Sequence, residues 1–113
     1  MSDSPLTEQK CQACEGGASP LDQAQAERLL QQLHEDWTLS QDGRTIQRGF
    51  KFKNYYHTMA FVNAVAWIAH REDHHPDMEV SYNRCLVQFS THAIGGLSQN
   101  DFICAAKTDA LRA

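Results

Sequence analysis

The chain has 113 residues, of which 42% are hydrophobic and 21% are charged, and this composition favours one globular domain with a packed core over wholesale disorder. Its formal net charge of -4 at pH 7, with Lys and Arg scattered along the chain, disfavours direct binding to nucleic acid. Because no apolar run approaches the roughly 20 residues that span a bilayer and the N-terminus lacks a signal-peptide layout, we expect a cytoplasmic protein without a membrane partner.

The first 18 residues are polar and small and show neither helical nor strand periodicity. This predicts a flexible N-terminal arm over 1–18 and a folded domain over 19–113. The arm contains Cys11 and Cys14, whose spacing is typical of half a zinc ribbon or of a redox pair. The second cysteine pair that a zinc ribbon needs is missing, so metal binding is the weaker alternative, and in the cytosol all four cysteines are expected as free thiols.

A first helix is predicted at the start of the domain. Ser19 offers an N-cap hydroxyl, Pro20 suits the first helical position and Asp22 supplies an early carboxylate. Apolar residues then recur at helical spacing as far as Leu33, which predicts a helix that ends near Glu35.

A hairpin and a second helix follow. The turn residues Asp42-Gly43 separate segments 37–39 and 45–52, a pattern that is typical of two paired strands. Asn54 can cap the next helix, whose apolar stripe runs to about Arg71.

Pro76 ends the second helix, because its ring disfavours helical geometry in the preceding residue and it has no amide donor. His74 and His75 are therefore predicted to lie at the exit of the helix. Beyond them, segments 79–82 and 85–92 alternate in polarity around a turn, which predicts a second hairpin.

A third helix is predicted after Gly95-Gly96, where Ser98 and Asp101 form a capping-box pattern. The resulting order is helix, hairpin, helix, hairpin, helix. We expect an α+β domain in which helices cover one face of a four-stranded antiparallel sheet. The exposed edges of such a sheet favour pairing with a second subunit.

The chemistry of the chain is indicated by His74, His75 and His92, which the predicted elements gather near one turn and one strand. Histidine, with an unperturbed pKa of about 6.5, can donate or accept a proton near neutral pH. Several imidazoles together therefore suit a reaction that moves two protons.

A longer motif surrounds these histidines. It consists of His74-His75-Pro76, Tyr82, His92 and Asp101. In the intervals between these residues, and in the triplets Ser90-Thr91-His92 and Gly96-Leu97-Ser98, the chain resembles the pterin-4a-carbinolamine dehydratase family over roughly residues 19–112.

The resemblance implies a hydro-lyase that removes water from 4a-hydroxytetrahydropterin to give quinonoid dihydropterin, without a metal or redox cofactor, during the recycling of tetrahydrobiopterin for aromatic amino-acid hydroxylation. It implies acid/base roles for His74 and His92, in either order, and an orienting role for His75. Residues implied to bind substrate are Asp73, Ser90, Thr91, Tyr82 and Asp101. Independently of the family, Asp101 suits either the orientation of an imidazole or the cap of the third helix.

Other functions stay open at this point. The family resemblance also implies a homodimer or homotetramer, an aromatic amino-acid hydroxylase as a partner and, as an alternative function, a dimerisation cofactor or regulatory protein-binding module. A zinc site that uses His70 and His74 would require the second helix to continue through both residues, which Pro76 disfavours. The acidic residues over 72–79 suit either a solvated turn or contacts to the amino groups of a pterin.

Overall fold

The computed structural model describes residues 5–12 and 19–112. Within these ranges the chain forms three α-helices and four β-strands. In chain order they are α1 (Gln23–Leu30), β1 (Thr38–Leu39), β2 (Ile46–Lys51), α2 (Tyr55–Glu72), β3 (Asp77–Val80), β4 (Arg84–Phe89) and α3 (Gln99–Ala110). Two 3-10 turns complete the described structure, at Leu6–Glu8 and His92–Ile94. The predicted α+β order of helix, hairpin, helix, hairpin, helix is confirmed.

The strands form an antiparallel sheet in the order β1-β2-β4-β3. The two predicted hairpins meet through β2 and β4, which pair from Ile46 opposite Phe89 to Lys51 opposite Arg84. The strands β1 and β3 lie at the two edges. The edge strand β3 begins at Asp77, directly after the segment His74-His75-Pro76.

The helices pack on one face of the sheet, as predicted. Alternate residues of β4, Cys85, Val87 and Phe89, are buried in the core, whereas Gln88 lies on the other face and donates to Gln47 of β2 at 3.0 Å. Such alternation is the period of a strand with one covered face. The large side chains of the core include Trp37, Ile46, Phe50, Phe61, Phe89, Leu97 and Phe102.

The first helix is shorter than predicted at both ends. Asp22, and not Ser19, is the N-cap, because its carboxylate accepts from the Gln25 backbone N–H at 2.8 Å and the Gln25 side chain accepts from the Asp22 backbone N–H at 3.0 Å. The helix ends at Leu30, where Gln32 and Leu33 switch to tighter bonds with residues three positions earlier.

The second helix begins as predicted, because Asn54 Oδ1 accepts from the His57 backbone N–H at 3.0 Å. It ends at Glu72, one residue beyond the predicted end. Across the described ranges, no helix combines the length and the apolar character needed to cross a bilayer.

Residues 5–12 pack against the folded domain. Leu6 is buried, the Lys107 ammonium donates to the Thr7 carbonyl at 3.0 Å, and the Cys11 backbone N–H donates to the Glu72 carboxylate at 2.9 Å. The prediction of a flexible arm over 1–18 did not anticipate these contacts, because periodicity gives no signal for one turn held by distant partners. The rest of that prediction, including Cys14, falls on residues 1–4 and 13–18 and lies outside the described residues.

Candidate active site

The C-terminal end of α2 turns the chain at His74 and His75 back toward the domain. Asp73 takes the left-handed conformation (φ 52°, ψ 43°), which Asp and Asn tolerate better than most residues. The backbone N–H groups of Asp73 and His74 both donate to the Ala69 carbonyl, so the helix closes and the chain reverses. Pro76 then starts the path into β3. The predicted exit from the helix is confirmed, and the reversal brings His74 to α3.

His74 is held by a fully buried carboxylate. Its Nε2 lies 2.5 Å from Asp101 Oδ1, while Asp101 Oδ2 accepts from the Thr91 hydroxyl at 2.8 Å and from the Ser98 backbone N–H at 2.9 Å. With Asp101 as a carboxylate that accepts on both oxygens, the neutral His74 ring donates from Nε2 and carries its lone pair on Nδ1. The ring also stacks on Phe89, with an interplanar angle of 10°.

Asp101 therefore fills both roles that the sequence left open. It is the third residue of α3 and completes a capping box with Ser98, and it also orients the imidazole of His74. Both are possible because a carboxylate can accept several hydrogen bonds on two oxygens.

His92 lies beyond the strand to which the sequence assigned it. The strand β4 ends at Phe89, and His92 begins a 3-10 turn instead. The reason is that Thr91 pairs with Gly96, which closes a tight loop with Gly95 at φ 69°. A Cβ atom at Gly96 would lie 2.7 Å from the Pro20 side chain, so this close packing requires glycine.

The histidines meet in one cavity of about 590 Å³, a volume typical of small-molecule sites. It lies between the end of α2, the turn after β4 and the start of α3. Its lining residues are Cys11, Gln12, Arg71, Glu72, Asp73, His74, His75, Ser90, Thr91, His92, Ala93 and Asn100. The structure thus brings together all three predicted catalytic histidines and three of the residues that the resemblance assigned to substrate, Asp73, Ser90 and Thr91.

Tyr82 and Asp101 are placed differently. Tyr82 is 63% exposed in the turn that joins β3 to β4. The strands of this hairpin are roughly 15–20 Å long, and Tyr82 lies at the end that is far from the cavity. Asp101 lies behind His74, with its carboxylate fully buried, and does not line the cavity. His75 does line it, and its exposed ring reaches the Pro76 carbonyl through Nδ1 at 3.2 Å.

The sequence interpretation missed one wall of the cavity. Cys11 and Gln12 of the N-terminal segment lie there, and the Gln12 backbone N–H donates to the Asn100 side chain at 2.9 Å. No local pattern could have found these residues, because the contacts span 88 positions of sequence. Of the acidic run over 72–79, Glu72 and Asp73 line the cavity.

The zinc alternative has no support from the geometry. The helix ends before His74, so His70 and His74 do not share a helix face, and the exposed ring of His70 stacks on Trp67 at 5.5 Å between centroids. Among residues 5–12 and 19–112, no group of three or more His, Cys, Asp or Glu side chains could hold a metal ion.

Comparisons with known proteins identify the family to which the chain is similar. The sequence model of the family described as "Pterin 4 alpha carbinolamine dehydratase" matches residues 19–111. A relative from Nitrosomonas europaea named "Putative pterin-4-alpha-carbinolamine dehydratase" is 62% identical over 106 residues, which cover 94% of this chain and 92% of the relative. A relative of the same name from Legionella pneumophila is 56% identical over 108 residues, 96% of each chain.

A solved structure resembles most of the chain in its fold. The crystal structure of a "transcriptional coactivator/pterin dehydratase" from Brucella melitensis superposes with a TM-score of 0.79 at 29% sequence identity. The match covers 84% of this chain and all of the Brucella chain.

Proposed function

The chain belongs to the pterin-4-alpha-carbinolamine dehydratase family, and on that premise we propose that it converts 4a-hydroxytetrahydropterin to quinonoid dihydropterin and water. One observation carries this proposal. His74, His75 and His92 line a single cavity, and a buried carboxylate lies 2.5 Å from Nε2 of His74. The reaction needs a proton acceptor and a proton donor, and this site supplies imidazoles for both roles.

The elimination breaks the N5–H bond and the C4a–O bond of the substrate. A base removes the proton from N5 of the pterin, the C4a–O bond breaks, and an acid protonates the departing hydroxyl as water. We assign the base to His74, because Asp101 holds its Nε2–H and leaves Nδ1 as the proton acceptor. We assign the acid to His92 on the facing turn. Asp101 then lies where it stabilises the imidazolium that forms on His74.

The remaining lining residues suit substrate binding and orientation. His75 and Ser90 present polar groups to the cavity, and the carboxylate of Asp73 matches the amino and ring N–H donors of a pterin. The Thr91 hydroxyl donates to Asp101, so its role is to hold the carboxylate that orients His74 and not to contact the substrate directly. A substrate contact by Tyr82 would require a second copy of the chain.

We place this reaction in the cytoplasm, after an aromatic amino-acid hydroxylase that releases the carbinolamine, and in a homodimer or homotetramer. The free thiols of Cys85 and Cys104 suit a reducing compartment. The edge strand β3 has exposed residues and is available for pairing between subunits. Light scattering at micromolar concentration should give the mass of a dimer or tetramer, and a monomer would contradict this assembly.

The dehydratase proposal is tested by the double substitution His74→Ala, His92→Ala. We expect the purified wild-type chain to accelerate the decay of enzymatically generated 4a-hydroxytetrahydropterin, followed by ultraviolet absorbance. Because the loss of one acid or base group costs about 10²–10⁴-fold in rate, the double variant should show only the spontaneous decay.

A matched control is the substitution His70→Ala, which changes an exposed histidine on α2 that does not line the cavity. This variant should keep the wild-type rate. Full activity in the double variant, or no acceleration by the folded wild-type chain, would overturn the proposal.

A second function as a protein-binding module is favoured by one feature of α2. Tyr56 and Trp67 are large aromatic side chains that are 79% and 60% exposed on this helix. Exposed aromatic residues are common at the centres of protein interfaces. A folded chain that lacks dehydratase activity but forms a complex weakened by Tyr56→Ala, Trp67→Ala would make this the better assignment.

A further inference from the structure

Two cysteines from opposite ends of the sequence meet beside the cavity. The Sγ atoms of Cys11 and Cys104 lie 3.5 Å apart, although 93 positions of sequence separate the residues. Cys11 lines the cavity, whereas Cys104 is fully buried on α3. Both are free thiols, and neither has a part in the acid/base chemistry proposed above.

The contact is held from both sides by hydrogen bonds of the backbone. The Cys11 N–H donates to the Glu72 carboxylate at 2.9 Å. The Gln12 N–H donates to Asn100 Oδ1 at 2.9 Å, and Asn100 Nδ2 donates to the Gln12 carbonyl at 2.6 Å. Buried Leu6 anchors the same segment upstream. These contacts fix residues 11 and 12 against α2 and α3, so the hydrogen bonds of the backbone hold the two sulfur atoms close together.

The separation suits a pair that can form a covalent bond. A disulfide requires about 2.05 Å between the sulfur atoms, so the two sulfur atoms must approach each other by about 1.5 Å. We propose that Cys11 and Cys104 form a redox-active dithiol in the wall of the cavity, which a small hydroperoxide oxidises to a disulfide.

The order of the steps follows from the surroundings of each thiol. The hydrogen bond that the Cys104 thiol donates to Cys11, together with burial, raises the pKa of Cys104 far above its ordinary value, and the nearby carboxylates of Glu72 and Asp101 act in the same direction. Cys104 therefore keeps its proton at neutral pH. The thiol that meets the oxidant first is Cys11, because it contacts the cavity.

The reaction balances with hydrogen peroxide as the oxidant. The Cys11 thiolate attacks one oxygen, the O–O bond breaks, and a sulfenic acid forms while hydroxide leaves and is protonated to water. The Cys104 sulfur then attacks the sulfenic sulfur, the S–O bond breaks, and the hydroxyl leaves with the Cys104 proton as a second water. Two thiols lose two electrons, and one peroxide gains them.

The disulfide would tie the N-terminal segment to α3 and close a loop that includes most of the chain. Such a crosslink restricts the unfolded chain strongly, because the entropy that it removes grows with loop length. The thermal midpoint of a domain of this size should rise by roughly 10 °C or more on oxidation and return after reduction. This readout does not involve a pterin, so it is independent of the dehydratase proposal.

The experiment uses the full reduced chain, treated with a small excess of hydrogen peroxide and then alkylated under denaturing conditions. Digestion with trypsin and Asp-N places Cys104 in fragment 101–107, Cys85 in fragment 85–100, and Cys11 with Cys14 in fragment 11–21. Mass spectrometry should find fragment 11–21 linked to 101–107, with Cys85 alkylated. The variant Cys14→Ser is the matched control and should give the same link.

The variants Cys11→Ser and Cys104→Ala should each lose both the linked fragment and the rise in thermal midpoint. Oxidation that links Cys11 to Cys14 within fragment 11–21 would overturn the proposal. Oxidation of the wild-type chain that stops at the sulfinic acid of Cys11 would also overturn it. This outcome is measured on the wild-type chain and does not depend on the folding of any variant.

Discussion

The two ends of α3 each present an aspartate to a strong hydrogen-bond donor, with different results. Asp101 at the first turn accepts from His74, whereas Asp109 at the last turn accepts from the Arg48 guanidinium at 2.7 Å and from Trp37 Nε1 at 2.9 Å. Each end opens on a cavity of similar volume, about 590 Å³ and about 580 Å³. Volume therefore does not distinguish the two, and the difference lies in the partner of the carboxylate.

An imidazole can change its protonation near neutral pH, whereas a guanidinium stays charged and an indole N–H only donates. The pair of Asp101 with His74 can therefore take part in proton transfer, and the pair of Asp109 with Arg48 can only hold the structure. Arg48 also lies over the Phe50 ring at 4.4 Å, with 12% of its side chain exposed, which is typical of a structural cation.

The largest expected difference between the two ends comes from Asp101→Asn. Asp101 receives three donors, and the amide can accept on its oxygen alone, so one donor loses its partner or His74 changes tautomer. The change of tautomer removes the proton acceptor from Nδ1. The rate of dehydration should fall by about 10²–10⁴-fold, and stability by about 1–3 kcal/mol.

The measurement is the rate of carbinolamine decay at a temperature where circular dichroism shows the Asp101→Asn variant to be folded. A rate within threefold of the wild-type value would mean that the hydrogen bond to His74 has no role in the chemistry.

The corresponding change at the other end, Asp109→Asn, should affect stability and not chemistry. It leaves the largely buried charge of Arg48 with only the exposed carboxylate of Asp36, 3.9 Å away, as counter-ion, and this is expected to cost about 2–4 kcal/mol, somewhat less than in a pair with no other counter-ion. Urea unfolding should show this loss as a lower midpoint with an unchanged slope. The dehydration rate per folded molecule should stay at the wild-type value, and a fall in that rate would erase the contrast between the two ends.

The smallest effect is expected at Asp73, which controls the approach of His74 to α3. The substitution Asp73→Asn keeps a side chain that tolerates the left-handed conformation, whereas Asp73→Ala adds strain of about 1 kcal/mol. If the carboxylate binds substrate, both variants should raise KM several-fold, and the alanine variant alone should also lose stability.

Steady-state kinetics and thermal unfolding of the two Asp73 variants separate these effects. An asparagine variant with wild-type KM would assign Asp73 to the reversal of the chain and not to substrate.

Local signals predicted the elements around the site well. The capping pattern of Ser98 and Asp101 predicted the start of α3, Asn54 predicted the start of α2, and Pro76 predicted its end, since each signal acts within four residues. The same local reasoning misplaced the start of α1, because Ser19 and Asp22 both suit an N-cap and only the bond to Gln25 decides between them.

The partners of buried polar groups could not be predicted in this way. Strand alternation places Arg48 on the inner face of β2, but nothing in the sequence shows that it pairs with Asp109, 61 positions away. The contact between Cys11 and Cys104 is of the same kind. Such pairs depend on how helices lie on the sheet, which is a property of the packed domain.

The order of helices and hairpins, the covered face of the sheet and the family motif with its three histidines could all be predicted from the amino-acid sequence. These depend on periodicity, capping and spacing, which are local properties of the chain. The packed domain was needed to show that Asp101 holds His74, that Tyr82 lies away from the cavity and that the N-terminal segment forms one of its walls. Each of these follows from contacts between residues far apart in sequence, whose free energy exists only when the core has packed.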